Sequence, residues 1–138
     1  MKAWSLNTIV ATIIAAVVAT AAMLFGGWDN AMVILTIFIA LDILSGWIRA
    51  FVQKELSSDE SFRGTAKKLL IYVIVCVAAQ TDRFTGSALV RNAVITFYCA
   101  TEALSILENS VAAGLPVPEF LSAALKQLNG KKFVKPEE

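Results

Sequence analysis

The chain has 138 residues, 57% of them hydrophobic and 17% charged, with no histidine and a net charge of +1. Soluble domains carry about 45–50% apolar and about 25% charged residues, and at this length a single core cannot hide so much apolar surface behind so few charges. An ordinary soluble enzyme is excluded, and the near-neutral balance removes the basic face on which nucleic-acid binding rests.

The first apolar run, residues 8–25 (TIVATIIAAVVATAAMLF), holds no charge. As a helix it reaches about 27 Å, enough to cross a bilayer. Lys2 before it and Ala19-Thr20-Ala21 within it also suit a signal peptide, whose apolar stretch is usually shorter, so a retained span is expected. Ala11, Ala15, Ala19 and Ala22 give this run a face of small residues.

The second run, 31–52, carries Asp42 near its middle and ends beside Arg49 and Lys54. The third follows Lys67-Lys68, and its strongly apolar part, 69–81, is short for a crossing; it spans if the helix covers 66–84, with Asp82 and Arg83 near the headgroups. The fourth, 89–113, has Arg91 near its start and Glu102 inside it. None of these runs shows the short alternating strands of a barrel, and lipid tolerates only helices or closed barrels. The expected fold is an all-α integral membrane protein with about four transmembrane helices and a short C-terminal amphipathic helix.

Orientation follows from the basic residues. Arg49, Lys54, Arg63, Lys67 and Lys68 crowd the second connection, and Lys126, Lys131, Lys132 and Lys135 the tail. Placing both stretches in the cytoplasm requires four crossings with both termini inside. Trp4, Trp28 and Trp47 fall near the ends of runs, where amphipathic rings favour the interface. Gly114-Leu115-Pro116-Val117-Pro118 breaks the fourth helix. Beyond it Phe120, Leu121, Ala124, Leu125 and Leu128 share one face of a short helix that stops at Gly130. Residues 1–114 are thus expected to form the membrane region, and 115–138 a cytoplasmic amphipathic helix and polar tail.

A charge at the centre of a membrane helix costs about 2.5–3.5 kcal/mol on insertion scales, so each should face protein or water. At about 100° per residue, Asp42, Ser45, Gly46 and Arg49 form one stripe, and Arg91, Tyr98, Glu102, Ser105 and Asn109 another. Together with Asp82 they make a candidate polar seam inside the membrane, protected by helix contacts in the assembled protein; which acid pairs with which arginine stays open. The stripes either specify packing within one chain or serve a pore or assembly. Cys76 and Cys99 lie in apolar runs without CxxC spacing and read as small buried hydrophobes. No catalytic set, metal site or cofactor motif accompanies the carboxylates.

The order of these fragments resembles the small phage-lysis and toxin-secretion holins of bacteria and their phages, over about Ala31 to Leu128. The resemblance rests on Ala40-Leu41-Asp42-Ile43-Leu44-Ser45-Gly46-Trp47-Ile48-Arg49-Ala50, on Lys54-Glu55-Leu56-Ser57-Ser58 and Phe62-Arg63-Gly64 before Lys67-Lys68, and on Asp82 at a helix end. Arg91 ahead of Phe97-Tyr98 continues it, as does Glu102-Ala103-Leu104-Ser105-Ile106-Leu107-Glu108-Asn109 followed by the Pro116-Val117-Pro118 ending. Thr101, Ala103 and Gln80 depart from the asparagine, glycine and histidine common there. The resemblance implies a homo-oligomer in the bacterial cytoplasmic membrane. It would open lesions through which a cell-wall hydrolase or a toxin leaves, with membrane lipid as its medium and no nucleic-acid partner. Two other readings remain open: a small ion channel or transporter using Asp42 and Glu102, and a non-conducting adaptor or antiholin that holds a partner through its tail helix.

Overall fold

The computed structural model describes residues 5–55 and 58–128. Within them the chain is all helical: α1 (Leu6–Phe25), α2 (Asn30–Gln53), α3 (Ser58–Thr85), α4 (Leu89–Ala112) and α5 (Glu119–Leu128). Lys2, Trp4, Ser57, the expected stop at Gly130 and the tail from Lys131 lie outside the described residues.

Local chemistry sets the helix ends. Ser5 caps α1, its hydroxyl accepting from the Thr8 amide, and Asp29 caps α2, its carboxylate accepting from the Met32 amide at 3.1 Å. Gly26 ends α1 with φ 72°, in the left-handed region that a side chain rarely adopts. Hydroxyls on the apolar helices bond back to their own turns, as Thr12 does to the Thr8 carbonyl and Thr20 to the Ala16 carbonyl, which gives these exposed hydroxyls partners within the helix. The basic stretch before residue 66, expected as a connection, is helical from Ser58 onward.

Three segments are long and apolar enough to cross a membrane: α1, α2, and Gly64–Thr85 of α3. The third, expected to be the weakest, belongs to this group. The fourth crossing is a different matter: α4 has 24 residues, but Arg91, Glu102, Glu108 and Asn109 dilute its apolar content below that of the other three. Four crossings therefore do not follow from apolar length alone.

α2 and α4 run parallel and form the most extensive contact, with α3 antiparallel against α4. The start of α4 meets the residues before α2 through Arg91 and Asp29, and the ends meet where Gln53 Nε2 donates to the Ala112 carbonyl at 3.3 Å. Met32, Leu35, Ile39, Ile71, Val75 and Ile95 form the buried core between them. Tyr72 adds a lateral tie, its hydroxyl donating to Thr36 Oγ1 at 3.0 Å. α1 packs mainly against α3 and buries none of its residues, but its C-terminal carbonyls are satisfied from α3, by Gln80 Nε2 to Leu24 O at 2.8 Å and Arg83 to Met23 O at 3.2 Å. Large apolar side chains such as Ile13, Val17, Leu41, Ile48, Leu69 and Val77 point outward. Such a surface suits lipid, which is as apolar as the side chains themselves.

Candidate functional site: a charge cluster between three helices

Asp42 lies near the middle of α2 and Glu102 near the middle of α4, and both are buried; Glu102 is only 1% exposed. The cation between them comes from α3. Lys68 Nζ stands 2.7 Å from Asp42 Oδ2 and also bonds Glu102 Oε2. On the far side of Asp42, Asn109 Nδ2 donates to Asp42 Oδ1 at 3.2 Å and to Ser45 Oγ at 3.0 Å, and the Ser45 hydroxyl donates to the Asp42 carbonyl at 3.0 Å. Three helices are therefore joined by one ammonium and one carboxamide. A buried carboxylate without such partners would carry its full desolvation cost.

A cleft of about 270 Å³ opens beside the cluster, lined by Asp42, Gly46, Arg49, Lys68, Ser105 and Asn109 among others. Asp42 and Lys68 thus border this recess, while Glu102 is enclosed away from it. Gly46 packs close to α4: a Cβ built there would lie 3.7 Å from Asn109 Nδ2, an ordinary van der Waals distance.

Arg91, 8% exposed, belongs to a second polar centre at the opposite end of α2 and α4. Its guanidinium donates from Nε to the Phe25 carbonyl at 2.6 Å, from Nη2 to the Gly27 carbonyl at 3.1 Å, and to both carboxylate oxygens of Asp29 at 2.9 and 3.0 Å. The hydrogen bonds from Arg91 hold the Asp29 carboxyl below its ordinary value, against a smaller opposing effect of burial. Asp82 completes this centre. Its two oxygens accept from the amides of Val90 at 3.0 Å and Arg91 at 2.9 Å, capping α4 from the end of α3, where Ala88 offers no side-chain cap.

The ten residues singled out from sequence therefore divide. Asp42, Ser45, Gly46, Glu102, Ser105 and Asn109 gather at the cluster or its cleft, while Asp82 and Arg91 gather at the other centre. Tyr98 sits between the two, half-buried against the apolar core and edge-on to Phe97. Arg49 lines the cleft but is exposed and forms no ion pair among the described residues, so within one chain it lacks the protection expected of it. Neither acid pairs with an arginine. Sequence reasoning missed Lys68 and Asp29. Lys68 was legible, since counting back from the buried face Ile71, Val75, Ala78 and Asp82 in steps of three or four leads to residue 68. Asp29 carried only the weaker signal of an acid just ahead of a helix.

Among the described residues no group of three His, Cys, Asp or Glu side chains is placed to hold a metal ion. The apolar exterior, the helical segments of membrane length and the internal charges define a small helical membrane protein. The chain belongs to the bacteriophage holin family, which it matches over residues 19–130. An uncharacterized protein of Clostridium perfringens is 46% identical over 114 residues, covering 81% of this chain and 84% of its own length. An uncharacterized protein of Listeria monocytogenes is 44% identical over 99 residues, 71% of each chain. A probable holin of Bacillus phage phi105 is 32% identical over 99 residues, 71% of this chain and 73% of the phage protein. No solved structure matches the chain.

Proposed function

We propose that the chain acts as a holin: it accumulates in the bacterial cytoplasmic membrane, self-associates, and opens lesions through which a cell-wall hydrolase or a toxin leaves the cell. The observation that carries this reading is the position of the dry core. Met32, Leu35 and Val75 are fully buried between the Arg91 centre and the Lys68 cluster. A path for a folded enzyme, or even for an ion, through one such bundle would have to cross that packed layer. A lesion between chains needs no such breach, which favours a holin over a single-chain channel or transporter.

In this reading α4 is the fourth crossing in spite of its charges, because Arg91, Glu102 and Asn109 spend their polarity on protein partners. Both termini then lie in the cytoplasm, residues 1–114 form the membrane region, and residues 115–138 stay at the inner surface. Family membership and this chemistry favour a function without catalysis, needing no cofactor.

Controlled expression in bacteria holding a cytosolic reporter enzyme tests the proposal. Abrupt lysis with release of the folded reporter is the expected result. Leakage of small ions without the reporter would point to a channel, and neither event to an adaptor or antiholin.

A further inference from the structure

Arg49 and Glu108 share a level at one end of the bundle. Arg49 lies four residues before the end of α2 at Gln53 and Glu108 four before the end of α4 at Ala112; the two helices run parallel, and the Gln53 side chain bonds the Ala112 carbonyl. Both side chains are exposed, and neither forms an ion pair among the described residues. Each stands among exposed apolar neighbours, Arg49 with Trp47, Ile48 and Phe51, and Glu108 with Val111 and Leu115. Arg49 lines the cleft beside the charge cluster, whereas Glu108 is not among the lining residues, so the two opposite charges are offered at one height, one inside the cleft and one outside it.

The acids near the middle of α2 and α4 have found a partner inside the chain: Asp42 and Glu102 share Lys68. Arg49 and Glu108 are the complementary charges left over on α2 and α4. We infer that Arg49 of one copy pairs with Glu108 of the next, and that this contact sets the direction in which copies associate. The occupant of the Arg49 surface is thus a second copy of this chain, chosen by opposite charge at matched depth. Two different patches in contact make a heterologous interface, which repeats from copy to copy and closes into a ring or continues as an array. Close to the membrane interface the pair is less screened than in bulk water, and its main effect is on register and partner choice. The inference rests on the self-associating holin reading and adds the residues that join the copies.

Single-cysteine chains test it. In a background carrying Cys76→Ser and Cys99→Ser, an Arg49→Cys chain and a differently sized Glu108→Cys chain are co-expressed, and the membranes are oxidised. A mixed disulfide-linked dimer is expected well above the like-with-like dimers. A chain carrying both cysteines should give a ladder that extends past the dimer. Charge reversal gives a second reading: R49E and E108R should each shift lysis time several-fold at equal amounts in the membrane, and the combined R49E/E108R chain should return toward the wild-type time. Should a cysteine chain fail to reach the membrane, co-expression of the R49E and E108R chains decides: rescue of lysis time in the mixture, where opposite charges meet only between copies, is expected, and no rescue there would overturn the contact. A ladder that stops at the dimer, a dominant Arg49→Cys homodimer, or no rescue by the double reversal would each overturn the contact. In those cases lysis by the wild-type chain still reports on the holin reading separately.

Discussion

Lys68 Nζ lies 2.7 Å from Asp42 Oδ2 and also bonds Glu102, so one side chain of α3 holds the central carboxylates of α2 and α4 together. The pairing explains how two acids sit in the middle of helices whose outer faces are apolar. Removing one partner of a buried ion pair typically costs about 3–5 kcal/mol, because the other is left uncompensated. Lys68→Met is expected to unfold in detergent at a distinctly lower denaturant concentration than the wild type, and K68M/E102Q to recover part of the loss. Equal resistance of K68M and the wild type would remove the cluster from any account of stability. Glu102→Gln alone should reach the membrane at least as well as the wild type, since an intramembrane formal charge is gone, yet lyse at a different time because its bond to Lys68 is weakened. Normal insertion with unchanged timing would leave Glu102 as a packing residue.

Two glycines should answer alanine in opposite ways. Gly26 has φ 72°, and a Cβ there would come within 3.2 Å of both the Ala79 Cβ and the Arg91 Cδ. The left-handed conformation alone costs an L-residue about 1–2 kcal/mol, before the crowding against the Arg91 centre is added. Gly46 is helical with room at 3.7 Å, and alanine favours a helix by up to about 1 kcal/mol over glycine. Thermal unfolding followed by circular dichroism should therefore show G26A clearly destabilised and G46A equal to or above the wild type. The reverse order would contradict the geometry at both positions.

Acid should loosen the Arg91 centre. The Asp29 carboxyl is held below its ordinary 3.8 by Arg91, so its contribution to stability is complete above that value and is lost as the pH falls through the lower folded one. Asp29 is half exposed at 52%, which keeps the effect modest. Trp28 stands edge-on to Phe25 at 6.0 Å and reports on this corner. In a chain with Trp4 and Trp47 changed to Phe, its emission is expected to shift only below about pH 4. Asp29→Asn should flatten that transition. A transition centred near neutral pH would assign the response to another group.

Cysteine labelling checks the membrane arrangement. With the native cysteines replaced, probes at positions 58 and 137 should react only after the membrane is permeabilised, and a probe at position 87, in the turn between α3 and α4, should react from outside. Labelling of position 137 in intact cells would exclude four crossings with both ends inside.

The periodicity of a single helix is enough to turn a stripe inward, and for that reason Asp42, Glu102 and Asn109 were legible as interior groups before any contact was known. The same logic applied to α3 leads from Asp82 through Val75 to Lys68, but the run of basic residues around Lys67 masked it as a cytoplasmic stretch. Arg49 shows the limit of the method. It shares the angular stripe of Asp42, yet it sits one turn from the end of α2, where α2, α3 and α4 line an open cleft and the Arg49 side chain is exposed.

Composition, run length and the spacing of charges were sufficient to determine a helical membrane protein with internal polar stripes, because each of those properties belongs to one stretch of chain and to the cost of placing it in lipid. Only the tertiary structure decided which groups meet: the ammonium of α3 with the acids of α2 and α4, the guanidinium of Arg91 with Asp29, and the carboxylate of Asp82 with the first amides of α4. Those pairings depend on the relative direction and register of separate helices. A side chain that reaches across a helix interface selects its partner by distances of a few ångströms, and these exist only once the helices have packed.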